Sequence, residues 1–95
     1  MSEDDIRRVA RIFRALGNAV RLKILLLVSV TKKPLHIKAV AEALNMDYAA
    51  LYRHVKVLEK MGLLEVYEVG RSRVLALKDR ASVEQLVEIA SKVMQ

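Results

Sequence analysis

The chain contains no cysteine, which excludes disulfides, thiolate metal ligands and cysteine nucleophiles together. Its two histidines, His36 and His54, stand far apart, and nothing about their spacing suggests a metal cluster. The three glycines form no phosphate-cradling loop, and no Ser, His and acid set is spaced for nucleophilic catalysis. We therefore expect no catalytic residues, no metal ligands and no cofactor. The longest apolar stretch, Ile24 to Val30 with Ser29 inside it, falls far short of the roughly 20 residues needed to cross a bilayer, and reads as a buried helix. The first five residues are acidic where a secretory leader is basic, and no hydrophobic region follows them. The expectation is a cytoplasmic chain without a membrane partner.

What is present is positive charge and regular patterning. Seventeen Lys and Arg against eleven Asp and Glu give a formal net charge of +6, which points to a polyanionic partner. At 54% hydrophobic and 29% charged, the chain is too apolar to stay disordered. Ninety-five residues suffice for one domain, spanning 1–95, but one whose core is marginal alone, so dimerisation would help it. There is no internal repeat, low-complexity tract or dividing linker.

Ser2 with Asp5 forms a capping-box pattern, followed by Ile6, Val9, Phe13 and Leu16 at helical spacing. The first helix is predicted over 3–16. Gly17 suits a helix-ending C′ position and Asn18 a cap for a second helix over 19–30, apolar nearly all round and so expected at the core's centre. Residues 31–34 are a polar break ending in Pro34. A third helix is expected over 37–44, then Asn45 and Met46 as a tight connection, then Asp47 capping a fourth helix over 48–61. On that helix Leu51, Val55, Leu58 and Met61 form an apolar stripe, while Tyr48, Ala49, Tyr52, Arg53, Lys56 and Lys60 project from the other side. Gly62 ends it. Residues 63–69 and 73–77 read as the strands of a hairpin turning at Gly70, Arg71 and Ser72. Ser82 with Gln85 suggests a capping box for a last helix, whose Val83, Leu86, Val87, Ala90, Val93 and Met94 form an apolar seam.

A short helix, a three-residue turn, a helix with a polar outer face and then a hairpin with a basic tip is the order of a helix-turn-helix followed by a wing. In such proteins the second helix of the pair enters the major groove, about 12 Å wide, and reads base edges. Two runs carry a more specific likeness: IFRALGNAVRLKILLLV over 12–28, and VAEALNMDYAALYRHVKVLEKMGLLEVYEVGRSRVLALK over 40–78. Taken together in this order they resemble the arsenical-resistance-repressor (ArsR-type) winged helix-turn-helix regulators over nearly the whole chain. The resemblance implies a mostly helical fold with a two-stranded wing and a homodimer built from the first and last helices. It also implies double-stranded DNA as partner, bound at an inverted-repeat operator with half-sites about 34 Å apart. Carried over residue by residue, base reading falls on Tyr48, Ala49, Tyr52 and Arg53, a phosphate contact on Lys56, and wing contacts on Arg71, Ser72 and Arg73. Dimer contacts fall on Ile6, Val9, Phe13, Leu86, Val87, Ala90, Val93 and Met94.

The chain departs from metal-sensing relatives, which use cysteines near the DNA-reading pair or carboxylates and histidines on the last helix; here the last helix has Glu84 and Glu88 without a histidine. A repressor without metal sensing is the expectation, and a small-molecule effector is left open. His54 borders the apolar stripe and reads as a packed, hydrogen-bonded residue; His36 stands where a cap is expected, either as a poor substitute cap or as a phosphate contact. Arg7, Arg8, Arg11 and Arg14 of the first helix are equally consistent with a DNA-facing patch and with a solvated face. Two other functions share the fold: a winged-helix module that binds protein, and an architectural protein that coats DNA without sequence preference.

Overall fold

A computed structural model describes all 95 residues. In chain order the elements are α1 (Glu3–Leu16), α2 (Ala19–Val30), β1 (Leu35–His36), α3 (Ile37–Ala43), α4 (Tyr48–Lys60), β2 (Leu64–Val69), β3 (Ser72–Leu77) and α5 (Arg80–Val93). No helix is long and apolar enough to cross a membrane.

The helix starts follow from side-chain caps that satisfy otherwise orphaned backbone N–H groups. Ser2 and Asp5 form the expected reciprocal box at α1. Asn18 accepts from the Arg21 amide at α2, and Asp47 from the Ala50 amide at α4. His36 precedes α3 without any side-chain cap bond, the poor substitute expected of it. The cap of α5 is a correction: Asp79, not Ser82, accepts from the Ser82 amide and from its hydroxyl. A carboxylate three residues upstream captures the first turn, so Ser82 lies inside the helix and the helix begins at Arg80.

Two helix ends share one closure. At α3, Met46 N–H reaches Ala41 C=O and Asn45 N–H reaches Glu42 C=O, with Asn45 at φ +53°. At α4, Leu63 N–H reaches Leu58 C=O and Gly62 N–H reaches Glu59 C=O, with Gly62 at φ +77°. Both are Schellman motifs, which need a left-handed residue past the helix end. Gly17 does not follow this pattern. Its φ is −78°, and it is small because a Cβ would meet Phe13 O at 3.2 Å. The last carbonyls of α1 are taken instead by Arg21, whose Nε donates to Ala15 O at 2.6 Å and Nη2 to Arg14 O at 3.3 Å.

Fifteen buried residues form one cluster, drawn chiefly from α2 (Ile24, Leu25, Val28), α3 (Ile37, Val40, Ala41), α4 (Leu51, Val55, Leu58) and the sheet (Leu64, Leu75, Leu77). α2 is not buried all round: Leu26 is 47% and Val30 75% exposed. The hairpin gains a third strand that the sequence pattern did not reveal, since β1 pairs with β3 through Leu35↔Leu75 and His36↔Val74 to give the order β1-β3-β2, all antiparallel. The loop is shorter than expected. Val69 pairs with Ser72, so only Gly70 and Arg71 turn, and Gly70 alone has positive φ, the signature of a type II′ turn.

The terminal helices contribute little to this core. Ala15 is the one fully buried residue of α1 and Val83 that of α5. α5 is tied to α2 by polar contacts, Ser29 Oγ donating to Glu84 at 2.8 Å and Arg80 donating to the carbonyls of Ser29 and Thr31.

Candidate nucleic-acid interface

α4 is held from behind by Leu51, Val55 and Leu58, each without exposed surface, and from the side by α3 through the Asn45 turn. At about 100° per residue, fixing those three inward forces Ala49, Arg53, Lys56 and Lys60 outward, and all four are exposed. Tyr48 and Tyr52, one turn apart, face the flank nearest the wing. Their rings stack with centroids 6.2 Å apart and planes inclined by 16°.

The wing returns to this flank. Arg73 Cζ lies 4.6 Å from the Tyr52 ring centroid, and its Nη1 donates to the Tyr48 hydroxyl at 3.5 Å. Lys56 Nζ approaches the same ring at 5.7 Å. Two cations near one ring draw on its quadrupole, and the hydrogen bond to Tyr48 favours the charged form of the Arg73 guanidinium, its pKa raised. Arg73 therefore belongs to the α4 flank and not to the wing tip. The tip itself carries Arg71, exposed, above Ser72, half-buried. With Tyr48, Gly70 and Glu68 these residues line a shallow depression, and Glu68 sits opposite Arg73 in the strand register, an acid placed within an otherwise cationic edge.

Lys56 is not free in the unbound chain. Its Nζ lies 2.7 Å from Glu59 Oε1, a hydrogen bond that raises the ammonium pKa. Arg53 projects into solvent and makes no ion pair with any of the three acids that pair elsewhere, Asp4, Glu59 and Glu88. His54, on the opposite flank from the wing, is half-buried, and its Nδ1 lies 3.2 Å from Arg21 Nη1. Burial first, then the neighbouring Arg21 and Arg53 guanidinium groups, push the His54 imidazolium below its ordinary pKa. His54 is thus the packed, hydrogen-bonded residue expected. His36 lies exposed in β1 and joins no site, and no group of three or more potential metal-ligating side chains is assembled.

The structure brings Tyr48, Tyr52, Lys56 and Arg73 into one cluster, leaves Ala49 and Arg53 on the adjoining outward row, and sets Arg71 and Ser72 at the end of the hairpin. Two residues escaped the sequence reading. Arg21 has partners at Arg14, Ala15 and His54 that no local pattern announces. Ile89, 60% exposed, continues the apolar face of α5; its spacing, three after Leu86 and four before Val93, was the available signal. Of the expected dimer contacts, Ile6, Val9, Phe13, Val93 and Met94 are exposed large hydrophobics, while Leu86 and Val87 are half-buried and Ala90 is exposed.

A helix pair closed by a left-handed turn, an outward-facing second helix and an antiparallel hairpin anchored beside it define a winged helix-turn-helix. A family model for the helix-turn-helix domain matches residues 16–67, and the chain belongs to that family, whose winged members are transcriptional regulators. Among solved structures, the homodimeric winged helix-turn-helix DNA-binding domain of Mb0332 from Mycobacterium bovis, a possible ArsR-family transcriptional regulator, is 25% identical. It superposes with a TM-score of 0.83, over 97% of this chain and 88% of its own. NolR from Sinorhizobium fredii, 20% identical, has a TM-score of 0.82 over 98% and 93% of the two chains. HlyU from Vibrio cholerae, 21% identical, has 0.79 over 93% and 97%. The resemblance to ArsR-type proteins read from the residues is borne out. Among curated proteins none matches the chain.

Proposed function

We propose that this chain is a sequence-specific regulator of transcription that binds duplex DNA as a homodimer and represses by occluding a promoter, without metal input. The observation that carries the proposal is the outward row of α4 beside an anchored wing, with Arg53 unpaired and Arg73 fixed against Tyr52. Arg53 has the planar fork that bonds guanine O6 and N7 together, worth about 1 to 3 kcal/mol of discrimination. Tyr48, Ala49 and Tyr52 share the base-reading surface, Lys56 meets a phosphate, and Arg71, with Ser72 behind it, reaches a minor groove or backbone beside the half-site.

Dimerisation through α1 and α5 is supported by the exposure of Ile6, Val9, Phe13, Ala90, Val93 and Met94, with Leu86 and Val87 at the edge of the same surface. An apolar face of this extent on a small protein is the mark of an interface, and the Mycobacterium bovis relative is a homodimer. Two such protomers related by a two-fold axis present two recognition helices, so the operator is an inverted repeat. On this reading residues 1–95 act as one DNA-binding unit with dimerisation helices at both ends, working in the cytoplasm.

Selection of bound duplexes from a random pool tests target class, symmetry and specificity together. Enrichment of an inverted repeat with half-sites about one helical turn apart is the expected result. Enrichment without symmetry argues against the dimer, and binding without any enrichment leaves an architectural coating protein. No binding at low salt would end the DNA reading altogether.

A further inference from the structure

Between the C-terminal halves of α1 and α4 lies a groove of about 600 Å³ walled by Arg11, Arg14, Arg21 and Lys60, with Ala15, Val57 and Met61 between them. It continues into a second depression where Arg8 joins Arg11 and Lys60. No acidic side chain lines either one. The three ion pairs of the protein, Arg7–Asp4, Lys56–Glu59 and Lys92–Glu88, engage none of these five cations.

Neutralising the carbonyl ends of α1 and α4 does not account for so much charge. Each helix end carries about half a negative charge, so two ends offset about one of the five positive charges. Arg21 already serves that purpose through its bonds to Ala15 O and Arg14 O. Arg8, Arg11, Arg14 and Lys60 remain, crowded and unpaired, a concentration of positive potential that favours a polyanion.

The position of the groove selects which polyanion. Lys60 ends the outward row that begins with Arg53 and Lys56, so the groove is continuous with the DNA-facing surface of α4, on the flank opposite Tyr48, Tyr52 and the wing. Along α1, Arg11 lies about 140° round from Ile6, so a second copy seated on Ile6 and Phe13 leaves the main groove open, with Val9 of the dimer surface bordering only the second depression. A helix seated in the major groove has a phosphate strand on each side of it.

We propose that the α1–α4 groove grips the DNA phosphate backbone on the flank of α4 away from the wing, through Arg8, Arg11, Arg14 and Lys60. This rests on α4 being the helix that enters the duplex, and it gives the arginines of α1 a role beyond solubility. Arg71 and the groove then hold the two strands that border the same major groove, fixing the depth and tilt of α4 between them.

The test is the salt dependence of binding to a selected duplex by the double variant Arg11→Gln/Arg14→Gln, measured between about 50 and 200 mM salt, with circular dichroism to verify folding; both side chains are exposed. Losing two phosphate contacts per protomer, four per dimer, should reduce the slope of log K against log salt by about 3.6 and weaken all sequences alike. Base preference should stay unchanged, and ethylation interference should fade only on the flank away from the wing. An unchanged slope in a variant that still binds, when Lys56→Gln does reduce the slope, overturns the groove assignment and leaves the DNA reading intact. Saturable binding of tripolyphosphate that the double variant abolishes, with the DNA slope unaltered, would reassign the groove to a free phosphorylated ligand. A wild-type chain with no salt-sensitive affinity for duplex would refute the reading on which the inference rests.

Discussion

The guanidinium of Arg73, on the last strand of the sheet, lies over the ring of Tyr52, in the middle of α4, at 4.6 Å. This contact joins the wing to α4 across 20 residues of chain, and the bond from Arg73 to the Tyr48 hydroxyl extends it to the N-terminal turn of that helix. No other side-chain hydrogen bond joins α4 to β3, so these aromatic and cationic groups are the polar link at this edge, added to the buried packing of Leu51, Val55 and Leu58 against Leu64 and Leu75.

Arg73→Ala is expected to weaken specific DNA binding without loss of secondary structure, and Arg73→Lys to restore only part of it, because an ammonium keeps the charge but not the planar stack. The check is a double-mutant cycle with Tyr52→Leu on affinity. If the pair acts as one unit, the double variant binds no worse than the weaker single one; full additivity would show that each side chain meets DNA independently.

Arg53 and Lys56 are expected to fail differently. Arg53→Ala should cost about 1 to 3 kcal/mol on the selected site and relax preference at one base pair, whereas Lys56→Ala should weaken every duplex alike and flatten the salt dependence. Glu59→Gln should do the reverse. With its partner at 2.7 Å gone, Lys56 is released, and non-specific affinity rises with a steeper salt slope. Filter-binding titrations of the three variants on selected and scrambled duplexes distinguish these outcomes.

His54 makes stability depend on pH. Its imidazolium is disfavoured in the folded chain by burial and then by Arg21 and Arg53, so its folded pKa lies below the ordinary 6.5 and the unfolded chain binds the proton more readily. Stability from this residue is therefore full above the unfolded pKa and declines as pH falls through it toward the folded value. Thermal unfolding across the mildly acidic range should show that decline in the wild type and a flatter profile in His54→Gln. An identical slope in both would assign the pH response to other groups.

The apolar faces of the terminal helices predict oligomeric state. Phe13→Glu or Ile89→Glu, at positions 58% and 60% exposed in the protomer, should leave the protomer fold intact and shift it to a monomer in sedimentation equilibrium. DNA affinity should fall steeply, since two linked half-site contacts become one. Persistence of a dimer in both variants would place the interface elsewhere.

Local chemistry made most of the fold legible. Ser2, Asn18 and Asp47 cap helices where residue type and spacing say they must, and Leu51, Val55 and Leu58 identify the inner side of α4, which leaves Arg53 and Lys56 outside. What escaped the sequence depends on distant partners. β1 is two residues long and exists only because Leu75 and Val74, about 40 positions later, offer a free edge. Asp79 displaces Ser82 as cap because its carboxylate accepts from the Ser82 amide and hydroxyl, which starts the helix three residues earlier and leaves Ser82 inside its first turn. The orientation of Arg73 inward from the tip, and of Arg21 over the end of α1, depends on which side chains folding brings alongside, and neither periodicity nor motif contains that information.

The two bonded residue pairs of β1 give the wing a consequence for how operators must be built. Because the hairpin is stitched to the segment that leads directly into α3, it cannot swing separately from the helix pair, and adjustment is confined to Gly70 and Arg71. On the proposed reading, the span between the base pairs met by α4 and the stretch of duplex met by the tip is therefore a fixed ruler carried by the protein. A DNA site whose geometry does not match it must bend or change its groove width to be bound.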